Sequence, residues 1–263
     1  MSEELAAGTG SEKGRLREFT PARASLKRAG SAIATREQLE FQLDHALARD
    51  AVHALMDERA MLAGLRARRL EAIAMKSAAE EQSGRGGRET YLRRPDLGRR
   101  LHEDCPQALR ERGAAQTAAP DVVFVIVDGL SAMAVERHAL AVLDATLARL
   151  AITAWRVGPV CVVSQGRVAI GDEIGAALRA RATVVLIGER PGLSSPDSLG
   201  VYVTWEPRPG RTDAERNCVS NVRLEGLGYA DAAERIEFLL DGARRLQGSG
   251  VELRRAGETW RRL

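Results

Sequence analysis

The chain has 263 residues, 44% hydrophobic, 29% charged and 4% aromatic, which excludes disorder throughout and fits one large domain or one domain with a helical appendage. Its net charge of +3 comes from Arg more than Lys, which stands only at Lys13, Lys27 and Lys76, and the two signs interleave as in Asp57-Glu58-Arg59, so nucleic acid is a poor expectation. Cys105, Cys161 and Cys218 form no CxxC pair or zinc spacing, the four His are scattered, and no apolar run reaches the ~18 residues of a membrane span.

The start, Met1-Ser-Glu-Glu-Leu, carries acid where a signal peptide carries base, so a cytosolic location is expected. Residues 1–19 are polar and aperiodic, which predicts a mobile tail. From Thr35, placed to cap, Leu39, Leu43, Leu47, Ala51 and Leu55 recur every four residues as an amphipathic helix. A second helical stretch over residues 59–81, rich in Ala, Leu, Met and Arg, ends at the breaker Ser83-Gly84-Arg85-Gly86-Gly87. Residues 20–118 are therefore read as a helical N-terminal region.

At Pro120 the pattern changes. The run Asp121-Val-Val-Phe-Val-Ile-Val-Asp128 is that of a strand covered on both faces. A helix follows over residues 131–150, with Ser131 as its cap. Strands over residues 160–164, 183–187 and 201–205, and helices over 168–180 and 230–246, continue the alternation, the last helix facing Ile236, Leu239, Leu240, Ala243 and Leu246 inward. This predicts an α/β fold for residues 119–263: an open, mostly parallel, Rossmann-like sheet with helices on both faces.

Ligands of such sheets bind beyond the carboxyl ends of the strands. Three polar clusters fall there: Asp128-Gly129-Leu130-Ser131, Ser164-Gln165-Gly166-Arg167 and Gly188-Glu189-Arg190-Pro191-Gly192. Single candidate residues have a plainer reading beside the functional one. Asp128 can simply accept N–H groups at a helix start, Glu189 can pair with Arg190, and Cys218 can be an ordinary buried thiol. The dinucleotide fingerprint GxGxxG is absent. Val127-Asp128-Gly129-Leu130-Ser131 also looks like the start of a metal-dependent phosphoesterase of alkaline-phosphatase type. That alternative needs further Asp and His ligands, yet His138 is the sole His after His102.

Taken together, the segments resemble the small subunit of ethanolamine ammonia-lyase. They are Thr20-Pro-Ala-Arg23, Gln42-Leu-Asp-His45, Ala48-Arg49-Asp50-Ala51-Val52, Tyr91-Leu-Arg-Arg-Pro-Asp-Leu-Gly-Arg99, Val127-Asp-Gly-Leu-Ser131, Gly166-Arg-Val-Ala-Ile-Gly-Asp-Glu-Ile-Gly175, Ile187-Gly-Glu-Arg-Pro-Gly-Leu193 and Arg216-Asn-Cys-Val-Ser-Asn221. They cover nearly the whole chain from Thr20, in the family's order.

The resemblance implies one chain of a two-subunit, adenosylcobalamin-dependent lyase that converts ethanolamine to acetaldehyde and ammonia. Cobalt–carbon homolysis, hydrogen abstraction, rearrangement and loss of ammonia are then the cofactor's chemistry. The partner implied is a TIM-barrel large subunit that holds substrate and supplies the catalytic side chains, in a hetero-oligomer, while residues 119–263 cover the cobalamin. Carried over by motif, the cobalamin contacts are Val168, Glu189 and Cys218. The Asp-x-His-x-x-Gly motif of base-off cobalamin folds is absent, so base-on binding is expected. The helices before Ala119 would pack on the sheet and dock to the large subunit. A bacterial microcompartment, addressed through the N-terminal tail, is left open as the location.

Overall fold

A computed structural model describes residues 28–29, 32–80 and 87–260. The expected tail over residues 1–19 lies outside them, as do residues 83–86 of the breaker. A two-residue antiparallel pair, β1 (Arg28–Ala29) with β2 (Ala32–Ile33), precedes helices α1 (Thr35–His53) and α2 (Glu58–Ala67). Thr35 does not cap α1: Ala34 takes the cap position, and no side chain closes it.

The helix expected over residues 59–81 is corrected most. The chain leaves α2 through Arg69, at φ 58°, where the amides of Arg69 and Leu70 donate back to the carbonyls of Arg66 and Leu65. That left-handed turn closes the helix. Ala72–Lys76 then forms strand β3, with Ile73 and Met75 packed on one face of the sheet and Ala72 on the other. Ala and Met favour helix as single residues, but a period-two side-chain pattern beside a parallel neighbour decides for strand.

Helix α3 (Gly87–Arg93), a 3₁₀ turn at Leu97–Arg99 and α4 (Cys105–Ala115) lead to β4 (Val122–Val127), whose six residues are all buried. Val122, Phe124 and Ile126 point into one core and Val123, Val125 and Val127 into the other, the signature of a central strand. Next come α5 (Ala132–Ile152), β5 (Val160–Ser164), α6 (Ile170–Ala177), β6 (Ala182–Gly188), β7 (Leu199–Trp205), β8 (Arg216–Val222), α7 (Tyr229–Leu246) and α8 (Val251–Trp260). Ser131 caps α5 as expected, its hydroxyl accepting from the Ala134 amide at 3.2 Å.

The six strands lie in the order β3-β5-β4-β6-β7-β8. The first four are parallel, while β7 and β8 run antiparallel to their neighbours. Helices α2, α5 and α7 cover one face, and α4 and α6 cover the other. The fold class is thus the expected α/β layering, with a mixed sheet. One detail differs from the sequence reading: Leu246, expected to face inward, is 37% exposed near the left-handed end of α7 at Gln247; on the N-terminal amphipathic helix and just beyond it, Leu39, Leu43, Leu47 and Leu55 all face outward.

Candidate functional site

The parallel strands β4, β5 and β6 end together, and their loops floor an open cleft of about 870 Å³. Gly129 and Leu130 follow β4, Arg167 and Val168 follow β5, and Glu189 and Arg190 follow β6. One wall is Leu92, Pro95 and Arg99 from the segment before Ala119, and the opposite rim is Tyr202 with residues 211–213. The site therefore draws on both sides of residue 119.

Gly129, at φ +57°, lets the ends of β4 and β6 touch: a Cβ there would stand 2.4 Å from the Gly188 carbonyl oxygen. The Leu130 amide donates to that same oxygen at 2.9 Å. The close approach made possible by these two glycines is therefore of chain to chain.

Val168 and Glu189 both line the cleft. Glu189 does not pair with Arg190 among the described residues. Its Oε2 accepts from the Ser198 hydroxyl and, at 3.3 Å, from the Asn221 amide. Gly200 leaves room for this carboxylate, since a Cβ there would lie 2.9 Å from Oε1. Cys218 does not line the cleft. It is exposed on β8, directly across from Tyr202 of β7, whose side chain does line it. Desolvation beside Tyr202 holds the thiol above its ordinary pKa, and the Glu189 charge adds to this, outweighing the Tyr202 hydrogen bond that acts the other way. Cys218 is therefore a neutral thiol, suited to packing or weak donation.

Asp128 is 1% exposed and lies under the floor of the cleft. Ser131 does the capping of α5, while Asp128 faces the amides of Gln165, Gly166 and Gly129 and pairs with Arg88 at 3.3 Å. Burial pushes its carboxyl up to about 7, against the pull of Arg88 and those amides. No group of three or more His, Cys, Asp or Glu able to hold a metal occurs among the described residues. The phosphoesterase alternative is not favoured, because its would-be metal ligand is buried and engaged by a guanidinium.

Sequence reasoning missed Tyr91 as part of the site. This residue is fully buried, its hydroxyl donates to the Gly166 carbonyl at 2.8 Å, and the guanidiniums of Arg88 and Arg167 stand 4.8 and 4.4 Å from its ring centroid. A lone Tyr inside an Arg-rich segment was the available signal. Arg167, part of a cluster singled out from the sequence, brings its charge into the cleft together with Arg99, Arg190 and Arg211, against Glu189 and Asp213.

Comparison with known proteins accords with this organisation. The family model described as ethanolamine ammonia-lyase light chain matches residues 11–254. The chain is 52% identical over 246 residues to the ethanolamine ammonia-lyase small subunit of Azotobacter vinelandii, covering 94% of this chain and 89% of that one. It is 52% identical over 243 residues to the protein of that name from Pseudomonas aeruginosa, at 92% and 87% coverage. Against its counterpart in Xanthomonas campestris it is 51% identical over 240 residues, at 91% and 86%. With the match running through both walls of the cleft and all six strands of the sheet, the chain belongs to the ethanolamine ammonia-lyase light chain family.

Proposed function

We propose that the chain holds adenosylcobalamin, base-on, in the cleft at the strand ends, and does so against a TIM-barrel large subunit that binds ethanolamine and supplies the catalytic side chains. When bound, the cofactor supplies the radical chemistry that turns ethanolamine into acetaldehyde and ammonia. The observation that carries this reading is the convergence of separate motifs. Val168 and Glu189, 21 positions apart in sequence, line one cleft, and Tyr202 joins that cleft to Cys218.

The residues suit the group. The cleft is broad and open on one side, fit for one face of a macrocycle whose other face a partner covers. Glu189, oriented by Ser198 and Asn221, is an acceptor for amide N–H donors such as those around a corrin ring. Val168 offers a small apolar surface and backbone groups, and Cys218 a neutral thiol. Among the described residues no His lines the cleft: His138 is held instead by Tyr229 at 2.9 Å and Asp197 at 3.4 Å. That supports retention of the cofactor's own base on cobalt. The outward Leu39, Leu43, Leu47 and Leu55 beside α1 support docking of this region to the large subunit.

Co-expression with a large subunit tests the reading. Acetaldehyde formation is expected to require both chains and adenosylcobalamin. Full lyase activity from this chain alone, or metal-dependent phosphoester hydrolysis in place of lyase activity, would overturn it. For the axial ligand, electron paramagnetic resonance of the Co(II) form with nitrogen-15 in the cofactor base is expected to show splitting from that base, and splitting from a protein His would refute base-on binding. No helix among the described residues is long and apolar enough to cross a membrane. A cytosolic location, with residues 1–19 as a microcompartment address, completes the proposal.

A further inference from the structure

Most arginines brought against the sheet have an acid partner: Arg88 has Asp128, Arg216 has Asp172, and Arg211 on the cleft rim has Glu206 and Glu215. Arg167 is different. It is half-buried in the floor of the cleft, no carboxylate pairs with it among the described residues, and its Nε is buried without a hydrogen-bond partner. The acid whose charge favours it, Asp128, is already taken by Arg88, and the charges of Arg88 and Arg190 act unfavourably on it. A partly desolvated guanidinium among like charges is incomplete until an anion reaches it.

Its position is nonetheless fixed. The guanidinium carbon stands 4.4 Å from the Tyr91 ring centroid, and the Arg167 amide donates to the Gly98 carbonyl at 2.7 Å. Gly98 has no room for a side chain: a Cβ would lie 2.8 Å from the Tyr91 ring and 3.0 Å from both Arg167 Cγ and the Gln165 carbonyl oxygen. Tyr91 is in turn anchored through its hydroxyl to Gly166, the residue before Arg167. A flexible side chain is thus held by an aromatic platform and a backbone clamp, with no carboxylate paired to it among the described residues.

We infer that Arg167 binds the phosphodiester of the nucleotide loop of cobalamin, with Tyr91 and Gly98 as positioning residues. The inference rests on the cofactor reading above and adds to it the cofactor's one anionic group outside the corrin ring.

The test is equilibrium binding, followed by absorbance, of adenosylcobalamin and of adenosylcobinamide to the complex of this chain with its large subunit. The second ligand lacks the phosphodiester, ribose and base. Arg167→Gln is expected to weaken adenosylcobalamin binding by about ten- to a hundredfold, as loss of a charge-assisted hydrogen bond does. Adenosylcobinamide binding is expected to change by less than about twofold, within the usual scatter of a neutral substitution. Tyr91→Leu is expected to shrink the preference for adenosylcobalamin over adenosylcobinamide, and Tyr91→Phe, which keeps the ring face, to retain it. Equal weakening of both ligands, or weakening of neither, would overturn the inference and give Arg167 a structural role or a carboxylate partner on the large subunit. A wild-type complex that binds neither ligand would instead remove the cofactor reading, and with it this one.

Discussion

The buried pair Arg216–Asp172 offers the sharpest energetic test of the fold. Both side chains are 2% exposed, and the contact is two-pronged, Nη1 to Oδ1 at 2.7 Å and Nη2 to Oδ2 at 2.6 Å. Nη1 also donates to Thr204 Oγ1 and Nη2 to the Arg211 carbonyl, both at 3.0 Å. The pair ties the start of β8, an antiparallel edge strand, to the first turn of α6 on the parallel part of the sheet. Asp172→Leu leaves the guanidinium buried with only the exposed Asp213, at 3.5 Å from Nε, as a counter-charge among the described residues. Breaking one side of such a pair costs about 3–5 kcal/mol, a large share of the ~5–15 kcal/mol that holds a domain together. The double variant Arg216→Met with Asp172→Leu removes both charges. It gives up the two donors to Thr204 and Arg211, at about 1 kcal/mol each. The double is therefore expected to be more stable than either single, with a coupling energy of at least about 3 kcal/mol. Urea unfolding followed by Trp fluorescence measures all four corners of the cycle. Singles that cost under about 1 kcal/mol, or a double that costs their sum, would refute the claim that the charges act as one unit.

Other outcomes follow from the site. Because burial raises the Asp128 carboxyl to about 7, the folded chain binds more protons than the unfolded one from about pH 4 upward, so stability should fall as pH rises through that window and level off above about 7. Asp128→Asn should remove the slope, and an unchanged pH profile would contradict the assignment. Gly98→Ala forces a Cβ against the Tyr91 ring and the Gln165 carbonyl, and should cost about 1–3 kcal/mol in unfolding experiments while weakening the preference for adenosylcobalamin over adenosylcobinamide. Replacing Leu39, Leu43 and Leu47, which are 60%, 60% and 43% exposed, with Glu should abolish copurification with the large subunit, yet move the unfolding free energy of the chain by no more than about 0.5 kcal/mol per residue. Retained copurification would take α1 out of the interface.

The elements that were legible in the sequence are those in which one period dominates. The Val-rich run of β4 and the capped α5 need no tertiary context to be read. Ala72–Lys76 was hidden because Ala and Met suit a helix, and what makes it a strand is the presence of β5 beside it, 88 residues away between Ala72 and Val160. Strand β8 was hidden for the opposite reason. Its residues are mostly polar, and their alternation, with Asn217 and Val219 buried and Cys218 and Ser220 exposed, shows only once β7 is in place. The same holds for the cleft. Its floor was readable because strand ends in an open sheet are a general address for ligands. Its wall was not, because Leu92, Pro95 and Arg99 reach it through tertiary packing that no local pattern announces. Glu189 and Val168 were reached through family motifs, whereas the hold of Tyr91 on Arg167 spans 76 positions and appears only in three dimensions.

The segment between Glu189 and Leu199 is closed at its neck. The Glu189 amide donates to the Ser198 carbonyl at 2.9 Å while the Ser198 hydroxyl meets the Glu189 carboxylate, and Asp197 is clasped by Arg137 at 2.8 Å. Farther out, Gly192 and Ser195 exchange two backbone hydrogen bonds at 3.1 and 3.2 Å. Residues added at the tip, around Leu193 and Ser194, would hang from this staple without translating the carboxylate, and even a doubling of a flexible loop costs only about 0.6 kcal/mol in closure entropy. This tip, outside the lining of the cleft, is therefore a place to graft a peptide tag or a fluorescent reporter while leaving the geometry of the floor as it stands.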